Sequence, residues 1–221
     1  MKADLTLYVL VDPAQSGGRP LGELAGMAAR GGATLIQLRN KTGVTRELVE
    51  QARAIKLALA GTGVPLLVND RVDVALASEA DGVHLGRDDL DPQTARRLLG
   101  PRAIIGATVR ADIDVAGLTP GIVDYVCIGG VFATSSKDNP DPPIGLKGLS
   151  RFARLTRERV PGIPVGAIAG INEKNAANVI AAGADGIAVV SAITAAPDPE
   201  QAARGLRALV DAAKARRGRA A

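Results

Sequence analysis

The sequence predicts an α/β protein, a single (β/α)8 barrel, and three observations carry that prediction. Short apolar runs alternate with helical segments eight times along 221 residues. No Gly-rich GxGxxG turn follows the first run, which disfavours the rival open doubly wound sheet. No low-complexity linker interrupts the chain, so residues 1–213 read as one catalytic-sized domain. Hydrophobic residues make up 47% and aromatics 2%, so the core is built of Ala, Val, Ile and Leu, which suit closely packed parallel strands.

The strands are expected at 5–11, 33–39, 64–69, 82–85, 103–108, 123–129, 163–169 and 185–191. Helices are expected at 22–30, 45–59, 71–79, 92–99, 113–117, 149–159, 173–182 and 199–215. Several helices carry start and stop signals. Asp91 before Pro92 and Asp198 before Pro199 read as N-caps with proline at the first helical position. Asn172 before Glu173 reads as a third cap, and Gly183 after Ala182 as a helix-ending glycine.

Composition narrows the function classes. The formal net charge is +4, but Lys214, Arg216, Arg217 and Arg219 supply all of it: the other 23 basic residues match 23 acidic ones. Residues 214–221 therefore read as a frayed, disordered basic tail. With no Trp and two Phe there is no aromatic platform for bases, so nucleic acid is not the expected partner. Cys127 is the only cysteine and sits in an apolar run, as a core residue in a reducing compartment. No run approaches the ~18 apolar residues of a membrane span, and the N-terminus lacks a signal-peptide pattern. A cytoplasmic protein acting on small molecules is expected; oligomeric state, a homodimer included, stays open.

In such barrels chemistry sits at the carboxyl ends of the strands. The second strand ends QLRNK. Alternation turns Ile36 and Leu38 toward the helices and Gln37 and Arg39 toward the barrel interior. Arg39 and Lys41 at one rim suit a phosphate or diphosphate, or else an ion pair across the barrel. The third strand ends at Asn69 and Asp70. Asp70 reads either as a helix cap or, with Asp89 on the next loop, as half of a Mg²⁺ site completed by substrate phosphates. His84, the sole histidine, reads as a packed residue or a supporting donor. The fifth strand turns Gly106 and Thr108 the same way. Thr134, Ser135, Ser136 and Lys137 follow the sixth strand, Gly170 the seventh, and Ser191 the eighth, where these barrels hold phosphate. The long connection 133–145 reads as a candidate lid.

The ordered set QLRNK, ND, HLGRDD, GAT, ATSSK, AGI and VVSAI resembles the thiamine-phosphate synthase family, over residues 5 to 210. The resemblance implies a Mg²⁺-dependent transferase of thiamine biosynthesis. It would join a pyrimidine diphosphate to a thiazole phosphate, carboxylated or not, and release diphosphate through a carbocation-like centre. By position, it implies that Gln37, Leu38, Arg39, Asn40, Lys41, Asn69, Thr108 and Lys137 bind the pyrimidine diphosphate. Lys137, Arg39, Lys41 and Thr108 would carry the catalysis. Thr134, Ser135, Ser136, Gly170, Val190 and Ser191 would bind the thiazole phosphate, and Asp70 and Asp89 the metal. The chain departs from the family's usual pattern at Asn40, Ala133 and Ala169 and at Val109-Arg110, where a histidine is common. The related thiazole tautomerases use that histidine, and other phosphate-binding barrels are the further alternative.

Overall fold

Runs of Leu, Val and Ile form eight short strands: β1 (Leu7–Val11), β2 (Leu35–Leu38), β3 (Leu66–Asn69), β4 (Gly82–Leu85), β5 (Ile104–Val109), β6 (Tyr125–Ile128), β7 (Val165–Ile168) and β8 (Gly186–Val189). The computed structural model describes residues 3–134 and 141–220. All neighbouring strands are parallel and pair in chain order, and β8 closes on β1 with Val9 beside Val189. This is the closed (β/α)8 barrel.

Helices α1 (Leu21–Arg30), α2 (Thr45–Ala58), α3 (Val72–Ser78), α4 (Pro92–Leu99), α5 (Asp112–Ala116), α6 (Gly145–Arg159) and α7 (Ala176–Ala181) alternate with the strands. A short α8 (Ser191–Thr194) and the long α9 (Pro199–Ala220) follow β8. Strand alternation divides the core in two. Val9, Ile36, Leu38 and Val68 pack outward under the helices, while Tyr8, Leu10, Leu35, Leu67, Tyr125 and Cys127 fill the barrel. Each such aliphatic side chain contributes about 1.5–3 kcal/mol on burial. Gly106 leaves room for Tyr125: a Cβ there would lie 2.1 Å from the tyrosine ring.

Three end signals behave as the sequence predicts. Asp91 accepts from the Thr94 N–H at 2.9 Å, Asp198 accepts from the Gln201 N–H at 3.0 Å, and Gly183 follows α7 with φ of +110°. Asn172 does not cap a helix beginning at 173. Its side chain accepts from the Lys174 N–H, and the Asn175 side chain accepts from the Asn172 N–H, at 2.9 Å each. These local bonds form a polar turn and delay the helix to Ala176.

The tail expectation is corrected. Residues 214–220 continue α9. Lys214 donates to Thr6 Oγ1 at 2.6 Å, and Arg217 donates to the carbonyls of Ile180 (3.0 Å) and Ala184 (2.6 Å) and to Asp185 (3.0 Å). Two of the four cations are therefore tied down, Lys214 to the barrel base and Arg217 to the carbonyl end of α7, where positive charge is favoured. No helix among the described residues is long and apolar enough to cross a membrane.

Candidate active site

Carboxyl-terminal strand ends converge on one cavity, and the backbone register places its polar groups. The Arg39 N–H donates to the Val11 carbonyl at 2.9 Å, which sets residue 39 beside Asp12 across β2 and β1. Arg39 Nη1 donates to Asp12 Oδ2, while Asp12 Oδ1 accepts from the Ala14 N–H at 2.9 Å. A cation buried in the barrel requires this counter-charge. Sequence reasoning missed Asp12; its only signal is an aspartate directly after the first apolar run.

Gln37 points into the barrel as alternation predicts, and it is fully buried. Its Nε2 has no hydrogen-bond partner among the described residues. An orphan donor in a cavity wall suits a ligand that brings an acceptor.

The rim carries a second charged group. Lys41 Nζ donates to Asp70 Oδ2. Asp70 is not a helix cap: its φ is +63°, and Arg71 stands at the N-cap of α3 with no side-chain cap bond. The Asp70 N–H donates to the His84 carbonyl at 2.9 Å, which holds the aspartate over β4. Burial pushes the Asp70 carboxyl above its ordinary range; contact with Asp89 adds to this and Lys41 offsets it. Asp89 Oδ2 also accepts from the Gly86 N–H at 2.7 Å. Two carboxylates pressed together, one of them raised, are the surroundings a divalent cation relieves. The described residues hold no cluster of three or more His, Cys, Asp or Glu ligands. Two carboxylates plus substrate oxygens are a donor set that suits Mg²⁺ rather than a caged transition metal.

Beneath the mouth lies a buried polar chain. Tyr8 and Tyr125 join through their hydroxyls at 2.9 Å, Tyr125 joins His84 Nδ1 at 2.9 Å, and His84 Nε2 joins Thr108 Oγ1 at 2.9 Å. The lone histidine thus supports the Thr108 hydroxyl. Cys127 lies in the same floor, and burial pushes its thiol up to about 12, so it is no thiolate nucleophile.

On the opposite wall, Thr134, Gly170, Val190 and Ser191 line the cavity together with Gln37, Arg39, Asn69 and Thr108. Gly170 has φ of +66°, and a Cβ there would lie 2.3 Å from the Ala133 carbonyl, so the β6 and β7 loops meet only because residue 170 lacks a side chain. Ser191 opens α8 instead of ending a strand. Arg110, at the departure after Thr108, also lines the cavity and lies 3.7 Å from Asp141. It adds a cation the sequence reading left out.

Two expected ligands are placed elsewhere. The Leu38 side chain packs outward in the apolar core, as its position in the alternation requires, so only its backbone can face a ligand. Asn40 ties its own loop: it donates to Gln51 at 3.1 Å and accepts from the Gly43 N–H at 2.8 Å. Ser135, Ser136 and Lys137 lie outside the described residues, as do residues 135–140 of the expected lid 133–145.

A family model described as thiamine monophosphate synthase matches residues 7–193. A thiamine-phosphate synthase of Agrobacterium fabrum is 56% identical over 214 residues, spanning 96% of each chain. One from Xanthobacter autotrophicus is 48% identical, over 96% of this chain and 98% of its own. Among solved structures, a thiamine phosphate pyrophosphorylase from Pyrococcus furiosus superposes with a TM-score of 0.81 at 36% identity, over 96% of this chain and 98% of the other. With the eight-stranded barrel and its polar mouth, these similarities make the chain a member of the thiamine monophosphate synthase family, enzymes that form thiamine phosphate in thiamine biosynthesis.

Proposed function

We propose that the barrel mouth joins a pyrimidine diphosphate to a thiazole phosphate, releasing diphosphate and leaving thiamine phosphate. The observation that carries this reading is Gln37, a buried amide whose Nε2 has no partner among the described residues, in the same wall as the Arg39 guanidinium. An aromatic ring nitrogen would satisfy the amide, while the guanidinium receives the anionic end of the same substrate.

In this reading Asn69 and Thr108 hold the pyrimidine against Gln37, with the Thr108 hydroxyl oriented by His84. Arg39 and Lys41 receive the diphosphate and stabilise its charge as the carbon–oxygen bond breaks. Asp70 and Asp89 would hold Mg²⁺, which supplies further neutralisation of the departing charge. Thr134, Gly170, Val190 and Ser191 bind the thiazole phosphate, so that the ring nitrogen faces the electron-poor carbon. Ser135 and Ser136 are assigned to the thiazole phosphate and Lys137 to the diphosphate by sequence position alone. No strong base is required, because the pyrimidine amino group pushes the leaving group out. A cytoplasmic location and freely diffusing substrates belong to the same reading.

The test is product formation. Purified protein with both substrates and Mg²⁺ is expected to yield thiamine phosphate and one equivalent of diphosphate. No product at saturating substrate would sink the proposal.

A further inference from the structure

We propose that Asp12 is a positioning residue for catalysis: it fixes the plane of Arg39 so that the free edge of the guanidinium meets the diphosphate, and it tempers the charge there so that diphosphate can leave. This rests on the reading of the mouth as the diphosphate site.

Asp12 and Arg39 stand side by side because β1 and β2 pair with Val11 beside Leu38. The ion-paired side chains are 4% and 16% exposed, respectively, so solvent screens the pair little. Asp12 is itself held, since its other oxygen accepts from the Ala14 N–H at 2.9 Å. One edge of the guanidinium is thereby anchored through Nη1 to a fixed carboxylate. Arg39 also lines the cavity. Forked recognition of a phosphate needs a guanidinium of defined plane, and a long side chain anchored at one edge has it before the substrate arrives. A merely structural staple gains little from a buried ion pair, which costs desolvation that an apolar pair avoids. Together Asp12 and Arg39 carry no net charge. The anion therefore meets directed hydrogen bonds with less Coulomb attraction than a bare cation would exert.

The experiment compares D12N, D12E, R39Q and the D12N/R39Q double variant with wild type, with melting temperature as the fold control. It measures kcat and KM for thiamine phosphate formation, and calorimetric binding of inorganic diphosphate with Mg²⁺. D12N is expected to lose about ten- to a hundredfold in kcat, while diphosphate binds at least as tightly as to wild type. D12E should recover part of kcat. The double variant should be no worse than R39Q alone, because both changes remove one unit.

A D12N kcat within twofold of wild type, looser diphosphate binding to folded D12N, or losses that multiply in the double variant would each overturn the inference. If D12N does not fold, D12E is judged by the same measurements, and a kcat within twofold of wild type overturns the inference. If wild type makes no thiamine phosphate, the synthase reading fails by itself. Calorimetry then decides Asp12: binding weakened by D12N or unchanged by R39Q overturns the inference, and the reverse pair supports it.

Discussion

Lys41 and Asp70 form an ion pair across the ends of β2 and β3, and the same Asp70 carboxylate crowds Asp89 from β4's loop. The cationic rim and the proposed metal site are thus one electrostatic unit. Asp89→Asn keeps the side-chain shape and an acceptor for the Gly86 N–H. It is expected to remain folded while the Mg²⁺ needed for half-maximal rate rises at least about tenfold. Initial rates across a Mg²⁺ titration measure this; an unchanged requirement removes Asp89 from the site.

Gln37 should show a trade between stability and binding. Its orphan Nε2 costs about 1–3 kcal/mol in the ligand-free protein. Gln37→Leu removes that donor at similar volume, so the variant should unfold at the same temperature or higher. KM for the pyrimidine diphosphate should rise by about tenfold or more, the loss of one buried hydrogen bond. Calorimetric unfolding and steady-state kinetics check the two halves separately.

Asp185 should make the base of the barrel sensitive to acid. It accepts from the Val165 N–H at 2.9 Å, from Arg157 at 2.7 Å and from Arg217 at 3.0 Å. Burial raises its pKa, but the Val165 N–H and the two guanidinium groups outweigh it, so the carboxyl lies below its ordinary 3.8. The unfolded chain binds this proton more readily than the folded one. The stabilisation is therefore complete above the unfolded value and is lost as pH falls through the lower folded value. Asp185→Asn should be less stable at pH 7 by about 1–2 kcal/mol, allowing for partial exposure of the pair. The difference should shrink below pH ~4. Urea midpoints at pH 7 and pH 3 would show the gap closing; a gap of constant size contradicts the assignment.

Ala169 holds a φ of +94°, a conformation that side chains rarely adopt. Such strain costs about 1–3 kcal/mol, against about 0.4–1 kcal/mol of extra chain entropy when glycine replaces alanine. Ala169→Gly should therefore raise the melting temperature by a few degrees, at about 2–4 °C per kcal/mol. A lower melting temperature would show that the loop gains more from the methyl group than it loses in strain.

Much of this arrangement was legible along the chain, because period-two alternation is local. It turned Gln37 and Arg39 inward and sent Leu38 out to the helices. Local chemistry also marked Asp91, Asp198 and Gly183. What escaped were relations made by closure of the barrel. Asp12 lies 27 residues from the arginine it partners. Thr6 and Lys214 meet only when β1 and α9 come together. Arg110 looked like a departure after Thr108, yet its strand end delivers it to the cavity wall. Asn172 misled for the opposite reason: a side chain that can cap a helix can equally satisfy a turn.

The buried file of Tyr8, Tyr125, His84 and Thr108 has one further consequence. A neutral imidazole has one N–H and one lone pair, so the two hydroxyl contacts of His84 run in a common direction. With the proton on Nε2, Tyr125 gives its hydrogen to Nδ1, and Thr108 keeps an O–H to offer upward. With the proton on Nδ1, Tyr125 receives, and Thr108 gives its hydrogen to Nε2 and presents lone pairs instead. The file reverses as a whole, carrying no net charge in either sense. The cavity floor can therefore present a donor or an acceptor with the same four side chains, according to the tautomer of His84.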